Sequence, residues 1–149
     1  MIGTESISSV LKIKGTHVWS IEPTATVYSA IEKMSAKRVG ALLVMASGML
    51  VGIISERDYA REVILKNRSS KNTEVREIMT CPVVWVTPDN TVEECMRIMT
   101  ERRIRHLPVL MRNAVIGVIS IGDLVNWIIN AQEEAIVQLQ NYIEGRYPA

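Results

Sequence analysis

Serine and aspartate stand three residues apart in two strings, Ser55-Glu-Arg-Asp58 and Ser120-Ile-Gly-Asp123. Each string closes an apolar run that opens on glycine, Gly52-Ile-Ile and Gly117-Val-Ile. The run reads as a strand, with Ser capping a helix that follows and Asp, at the third helical position, completing a reciprocal capping box. The same geometry has a chemical use. The first amides of a helix attract anions, and a carboxylate held there can accept hydrogen bonds from both hydroxyls of a ribose. One such box carries the capping role alone. Two at corresponding places of a pseudo-symmetric pair would bring two such clefts close together.

A second cluster, Arg102-Arg-Ile-Arg-His-Leu-Pro108, puts Arg103, Arg105 and His106 just before an apolar strand. A solvated helix end suits arginine because the C-terminal dipole attracts cations. A phosphate would suit the same residues. The corresponding segment earlier in the chain is Arg38-Val-Gly-Ala41, where Gly40 and Ala41 replace Arg105 and His106. A division of labour accounts for that loss of charge, the later segment supplying phosphate ligands and the earlier one room. Arg57, beside Asp58, adds a cation where the later string has Gly122.

These strings correspond because the chain repeats itself. Displaced by 65 residues, Val10–Ile64 lies on Val75–Ile129 without a gap. Identical pairs include Val18/Val83, Pro23/Pro88, Thr26/Thr91, Met34/Met99, Arg38/Arg103, Leu42/Leu107, Gly52/Gly117, Ser55/Ser120 and Asp58/Asp123. A repeat of this size buries its apolar face poorly alone, so two copies should pack together. Each copy reads as strand, helix, strand, strand, helix. Thr26 and Thr91 are N-caps, and apolar residues then recur at helical spacing: Val27, Ala30, Ile31 and Met34, or Val92, Cys95, Met96 and Met99. Ser47-Gly48 and Arg112-Asn113 turn the hairpins. Pro108 cannot donate to a ladder, which marks an edge or a gap in pairing. The expected class is α+β, two pseudo-twofold-related β-α-β-β-α repeats packed through their sheets. The expected boundaries are a flexible arm over 1–9, repeats over 10–65 and 75–129, a polar linker over 66–74, and a helical extension over 130–149.

Composition narrows the function. Seventeen basic and 16 acidic residues among 149 give a net charge of +1, without the basic excess of a general nucleic-acid binder. No apolar run is long enough to cross a bilayer, and the start lacks the pattern of a signal peptide. Cys81 and Cys95 make neither a disulfide framework nor a zinc site, so the expected compartment is the cytoplasm. Cys95 falls on a helix's apolar stripe and reads as packing.

The duplicated Gly-apolar-apolar-Ser-x-x-Asp strings, the Pro-x-x-Thr-Val helix starts and Arg-x-Arg-His-Leu-Pro-Val together resemble a tandem pair of CBS domains, over about residues 10–129. The resemblance implies a module that senses an adenosyl ligand in the cleft between repeats. It maps the ribose onto Asp58, Asp123, Ser55 and Ser120, and phosphates onto Arg105 and His106, to which the cluster adds Arg103 and Arg57. It maps the adenine pocket onto Thr16, His17, Val18, Ala41, Thr80, Pro82 and Val83. It also implies a homodimer. The cations favour phosphates over a sulfonium ligand, which makes AMP the first choice, with ATP, ADP and NAD as further candidates. No catalytic cofactor or metal is expected. A second reading, an enzyme acting on a nucleotide phosphate, has only His106 as its acid or base, with no evident orienting partner. A third, a nucleic-acid adaptor, runs against the charge balance. The regulated partner is not encoded in any motif.

Overall fold

The computed structural model describes residues 3–145. Its elements are helix α1 (Ile7–Lys14), strand β1 (Ser20–Ile21), helix α2 (Val27–Lys37), strands β2 (Ala41–Ala46) and β3 (Met49–Ser55), and helix α3 (Glu56–Tyr59), which runs on as a π-helical turn over Ala60–Ile64. Then come α4 (Val75–Ile78), α5 (Val92–Arg102), β4 (His106–Met111), β5 (Ala114–Ser120) and the long α6 (Ile121–Ile143). The mixed helix-and-strand class is as expected.

Local chemistry sets these elements in matching pairs. Thr26 and Thr91 cap α2 and α5, their hydroxyls accepting the amides of Ser29 and Glu94 at 3.1 Å. Both helices end on an arginine in the left-handed region, Arg38 at φ 55° and Arg103 at φ 56°. Both hairpins turn on two residues of positive φ, Ser47-Gly48 and Arg112-Asn113, the turn whose twist matches that of paired strands.

The first strand is where the copies part. In the earlier copy β1 runs parallel to β2, with Ser20 opposite Leu43 and Ile21 opposite Val44, and Leu43 N–H donates to the Trp19 carbonyl at 3.1 Å. Pro108 takes the place of Leu43 and has no N–H to give. It still accepts from Val86 N–H at 3.0 Å, but the pairing shrinks to one parallel bridge, Val86 with Val109. The strand expected at Val83–Val86 is thus replaced by extended chain, and the sheets have three strands (β1-β2-β3) and two (β4-β5).

The compact units do not follow the sequence repeats. One contains the described residues up to Thr16, Val86–Val109 and Gly117 onward; the other contains His17–Trp85 and Leu110–Ile116. The second has a core of Val27, Ala30, Met34, Leu42, Val44, Ile54, Val63, Val75 and Ile78, so α4, which opens the later repeat, seals the body of the earlier one. In the first unit α1, from the start of the chain, packs on α6, and Ile7, Val92, Cys95, Leu107, Val109, Ile119 and Leu124 are wholly buried. Burial pushes the Cys95 thiol up to about 11, with Glu94 adding to the effect.

The flexible arm expected over 1–9 is corrected for residues 3–9; residues 1 and 2 lie outside the described residues. Ile7 is 0% exposed, and the segment is tied down by Ile7 N–H to Asn90 O (2.8 Å), Ser8 N–H to Pro88 O (3.0 Å), Val92 N–H to Glu5 O (2.9 Å) and Glu93 N–H to Gly3 O (2.9 Å). Apolar burial and these backbone bonds offset the entropy of ordering an end. Ile7→Ala should therefore lower unfolding free energy by about 2–4 kcal/mol in urea titrations, the range of a filled core site; an unordered arm would show no change.

Candidate functional site

Both capping boxes form. Ser55 N–H and Oγ donate to Asp58 Oδ2 at 2.9 and 3.1 Å, and Asp58 N–H returns a bond to Ser55 Oγ at 3.3 Å. Ser120 N–H donates to Asp123 Oδ2 at 2.8 Å, and Asp123 N–H donates to Ser120 Oγ at 3.1 Å. The first helical amides are also taken. Glu56 N–H goes to Gly40 O at 3.1 Å and Ile121 N–H to Arg105 O at 2.8 Å. The expectation that these helix starts offer unpaired amides to an anion is therefore corrected for the first and third amides, which are satisfied internally.

What brings a second segment onto each box is a close approach over glycine. A Cβ added at Gly52 would lie 2.5 Å from Met79 Sδ, and one added at Gly117 would lie 2.8 Å from Leu11 Cδ2. Glycine lets the ends of α4 and α1 cross β3 and β5 at these points. Past Gly52 the chain makes an antiparallel bridge: Thr80 N–H donates to Ile53 O at 2.8 Å and Ile53 N–H to Thr80 O at 3.1 Å. That sets Thr80 Oγ1 3.3 Å from Asp58 Oδ1. Ala41 lies opposite Ser55 in the β2–β3 register. Ala41, Ser55, Asp58 and Thr80 are thus gathered in one place, and Arg57 is on the same turn of α3.

The Asp123 site is charged. Lys14, the last residue of α1, donates to Asp123 Oδ2 and to Val118 O, both at 2.5 Å. Their side chains are 30% and 22% exposed. Half-buried His106 opens β4 nearby, and Arg105 precedes it. Lys14 was absent from the sequence expectations. The 65-residue offset aligns it with Met79, so nothing in the repeat marks it; only its place at a helix end hints at a cationic role. Arg103 forms the left-handed end of α5. Thr16 falls in the unit of Asp123, whereas His17 and Val18 fall in the other, where the exposed His17 ring stands edge-on to Trp19 at 4.8 Å. Pro82 and Val83 follow Thr80, Pro82 after a cis peptide bond.

A sequence profile of the CBS domain matches residues 10–65 and 75–130. The chain belongs to the CBS-domain family. It is 41% identical over 152 residues to the mitochondrial CBS domain-containing protein CBSX3 of Arabidopsis thaliana, covering 95% of this chain and 73% of that one. A CBS-domain protein from Burkholderia ambifaria superposes with a TM-score of 0.83 at 47% identity, over 85% of this chain and 96% of that one. The CBS domain pair of MJ0100, solved with 5′-methylthioadenosine and S-adenosyl-L-methionine, has a TM-score of 0.76 over 86% of this chain and 98% of that one; at 20% identity it shows the shared fold. Among the described residues of this CBS pair, no helix is long and apolar enough to cross a membrane.

The surroundings of His106 carry a pH dependence. Burial lowers its pKa from 6.5; the Lys14 ammonium lowers it further, the Asp123 carboxylate opposes this, and Arg105 adds to the lowering. With the folded pKa below the unfolded one, the unfolded chain binds more protons between the two values. This contribution to stability is whole above about 6.5 and is lost as pH falls from there toward the folded value. Urea midpoints should fall between pH 7.5 and 5.5, and His106→Asn should flatten that slope; an unchanged slope in the variant would show that His106 is not its source.

Proposed function

We propose that this CBS pair is a non-catalytic sensor of adenine nucleotides, with AMP as the first choice and ATP, ADP and NAD as further ligands. Asp58 and Asp123 hold the ribose hydroxyls, with Ser55 and Ser120 beside them. Arg103, Arg105 and His106 meet phosphate at one site, and Arg57 adds charge at the other. Thr16, His17, Val18, Ala41, Thr80, Pro82 and Val83 border the base. The observation that carries this reading is the pair of boxed carboxylates, one of them paired with Lys14 and close to His106, which Arg105 precedes. An adenosyl ligand is also what the MJ0100 pair holds.

The energetics are sufficient. Charge-assisted hydrogen bonds contribute about 1.5–3 kcal/mol each, so a ribose carboxylate and two or three cations support roughly micromolar affinity, about −8 kcal/mol, after the cost of association. A ligand acts as a signal only through different affinities for two conformations, and the regulated partner reads that difference. The cytoplasm or another reducing compartment suits the two free cysteines, Cys81 and Cys95. A homodimer fits the apolar side chains that α6 leaves exposed, Ile129, Ile136, Val137, Leu139 and Ile143.

Titration calorimetry separates the roles. Asp123→Asn keeps a capping side chain and should cost adenosine more affinity than Arg105→Ala does, whereas for ATP the order should reverse. Equal losses for both ligands would contradict the division into ribose and phosphate groups. Mass spectrometry of small molecules carried through native purification should find an adenine nucleotide. Light scattering of a chain ending at Asn130 should show loss of the dimer; an unchanged dimer would make the extension dispensable.

A further inference from the structure

The two sites use different groups for the same task. At the Asp58 site, Thr80 donates its amide to Ile53 O at 2.8 Å and its hydroxyl to Asp58 at 3.3 Å. At the Asp123 site the corresponding acceptors, Val118 O and Asp123, are both taken by the single ammonium of Lys14 at 2.5 Å. The difference is one of reversibility. Thr80 is fixed by a two-bond backbone bridge. Lys14 reaches its acceptors on a flexible four-carbon stem from the end of α1, and water has access to the ion pair.

We propose that Lys14 is a latch on the Asp123 site, closing the carboxylate in the ligand-free protein and yielding it to a ligand that brings a phosphate to receive the ammonium. This rests on the ribose reading given under the proposed function. A ribose diol must compete with Lys14 for the carboxylate. A neutral nucleoside displaces the ammonium without offering it a counter-charge, and neither Arg105, a cation, nor His106, an imidazole, carries a negative charge to replace the carboxylate. A nucleotide supplies a dianion within the same cluster, where charge-assisted bonds are strongest. Lys14 thereby sets the preference of this site for nucleotide over nucleoside. Thr80, being neutral, imposes no such condition at Asp58.

The test isolates the Asp123 site in an Asp58→Asn background and measures adenosine and AMP by calorimetry. Lys14→Met should bind adenosine about 3-fold more tightly, as release of a partly exposed ion pair allows, and AMP about 10-fold more weakly through loss of a phosphate contact. Movement of both affinities in the same direction, or of neither, would overturn the latch. A ligand-independent measurement keeps the two readings apart. In trace acetylation of the ligand-free protein, Lys14 should react several-fold more slowly than Lys12, which is exposed on the same helix, and Asp123→Asn should restore its rate. Equal rates for the two lysines would overturn the latch even where AMP binds. If AMP binds in the Asp58→Asn background and Asp123→Asn leaves that affinity unchanged, the ribose reading itself fails, and the latch with it.

Discussion

The reciprocal bond between serine and aspartate at the ends of β3 and β5 is the constraint on which this molecule's chemistry depends. It caps a helix, and it also holds a carboxylate in a single orientation before any ligand arrives. Fixing that group in advance lowers the ordering cost of recognition, since the side-chain entropy is spent on folding. The first helical amide is taken by the carbonyl of Gly40 or Arg105 and the third by the serine hydroxyl, so two of the amides at each helix start are satisfied internally. Each carboxylate keeps acceptor capacity beyond its box, which the Thr80 hydroxyl uses at Asp58 and the Lys14 ammonium uses at Asp123.

A second constraint follows from the first. A boxed carboxylate becomes a site only when another segment lies over it, and glycine at positions 52 and 117 makes that approach sterically possible. The overlying segments come from the opposite repeat: α4 and Thr80 serve the box of the earlier copy, and α1 and Lys14 serve that of the later one. Each compact unit is thus assembled from parts of both repeats. The crossing also gives the start of the chain a structural role, because α1 has to be held in place by Ile7 and its neighbours before Lys14 can be delivered.

Much of this was legible in the sequence, for identifiable reasons. Thr26 and Thr91, the hairpin turns and both capping boxes are local chemistry, readable from a few adjacent residues. The repeat made the reading firmer by showing each signal twice. The crossing of segments between repeats was not legible, since an offset that aligns two copies says nothing about which copy's opening covers which box. Lys14 was hidden for the same reason: its partners lie more than a hundred residues away, and its aligned counterpart, Met79, does a different job. Ile7 was misread because a short polar-looking start resembles a loose end, while its burial depends on the distant turn at Pro88–Thr91. Pro108 was read correctly as a break in pairing, and its cost to the strand before it became visible only when Leu43, in the same position, was seen donating to Trp19.

Duplication gave this chain two equal carboxylates, and the differences around them are concentrated in charge. Gly40 and Ala41 face Arg105 and His106 in the alignment, and Met79 and Thr80 face Lys14 and Gly15. Three of these four exchanges, Gly40/Arg105, Ala41/His106 and Met79/Lys14, give the Asp123 side a cationic or titratable group; Thr80/Gly15 does not, and Arg57/Gly122 runs the other way. On the ribose reading proposed above, the Asp123 side couples recognition of the sugar to the charge attached to it, whereas at Asp58 the group over the carboxylate is the neutral Thr80, with Arg57 on the same turn of α3. On that reading, the pair of sites responds to the phosphorylation state of a nucleoside as well as to its concentration.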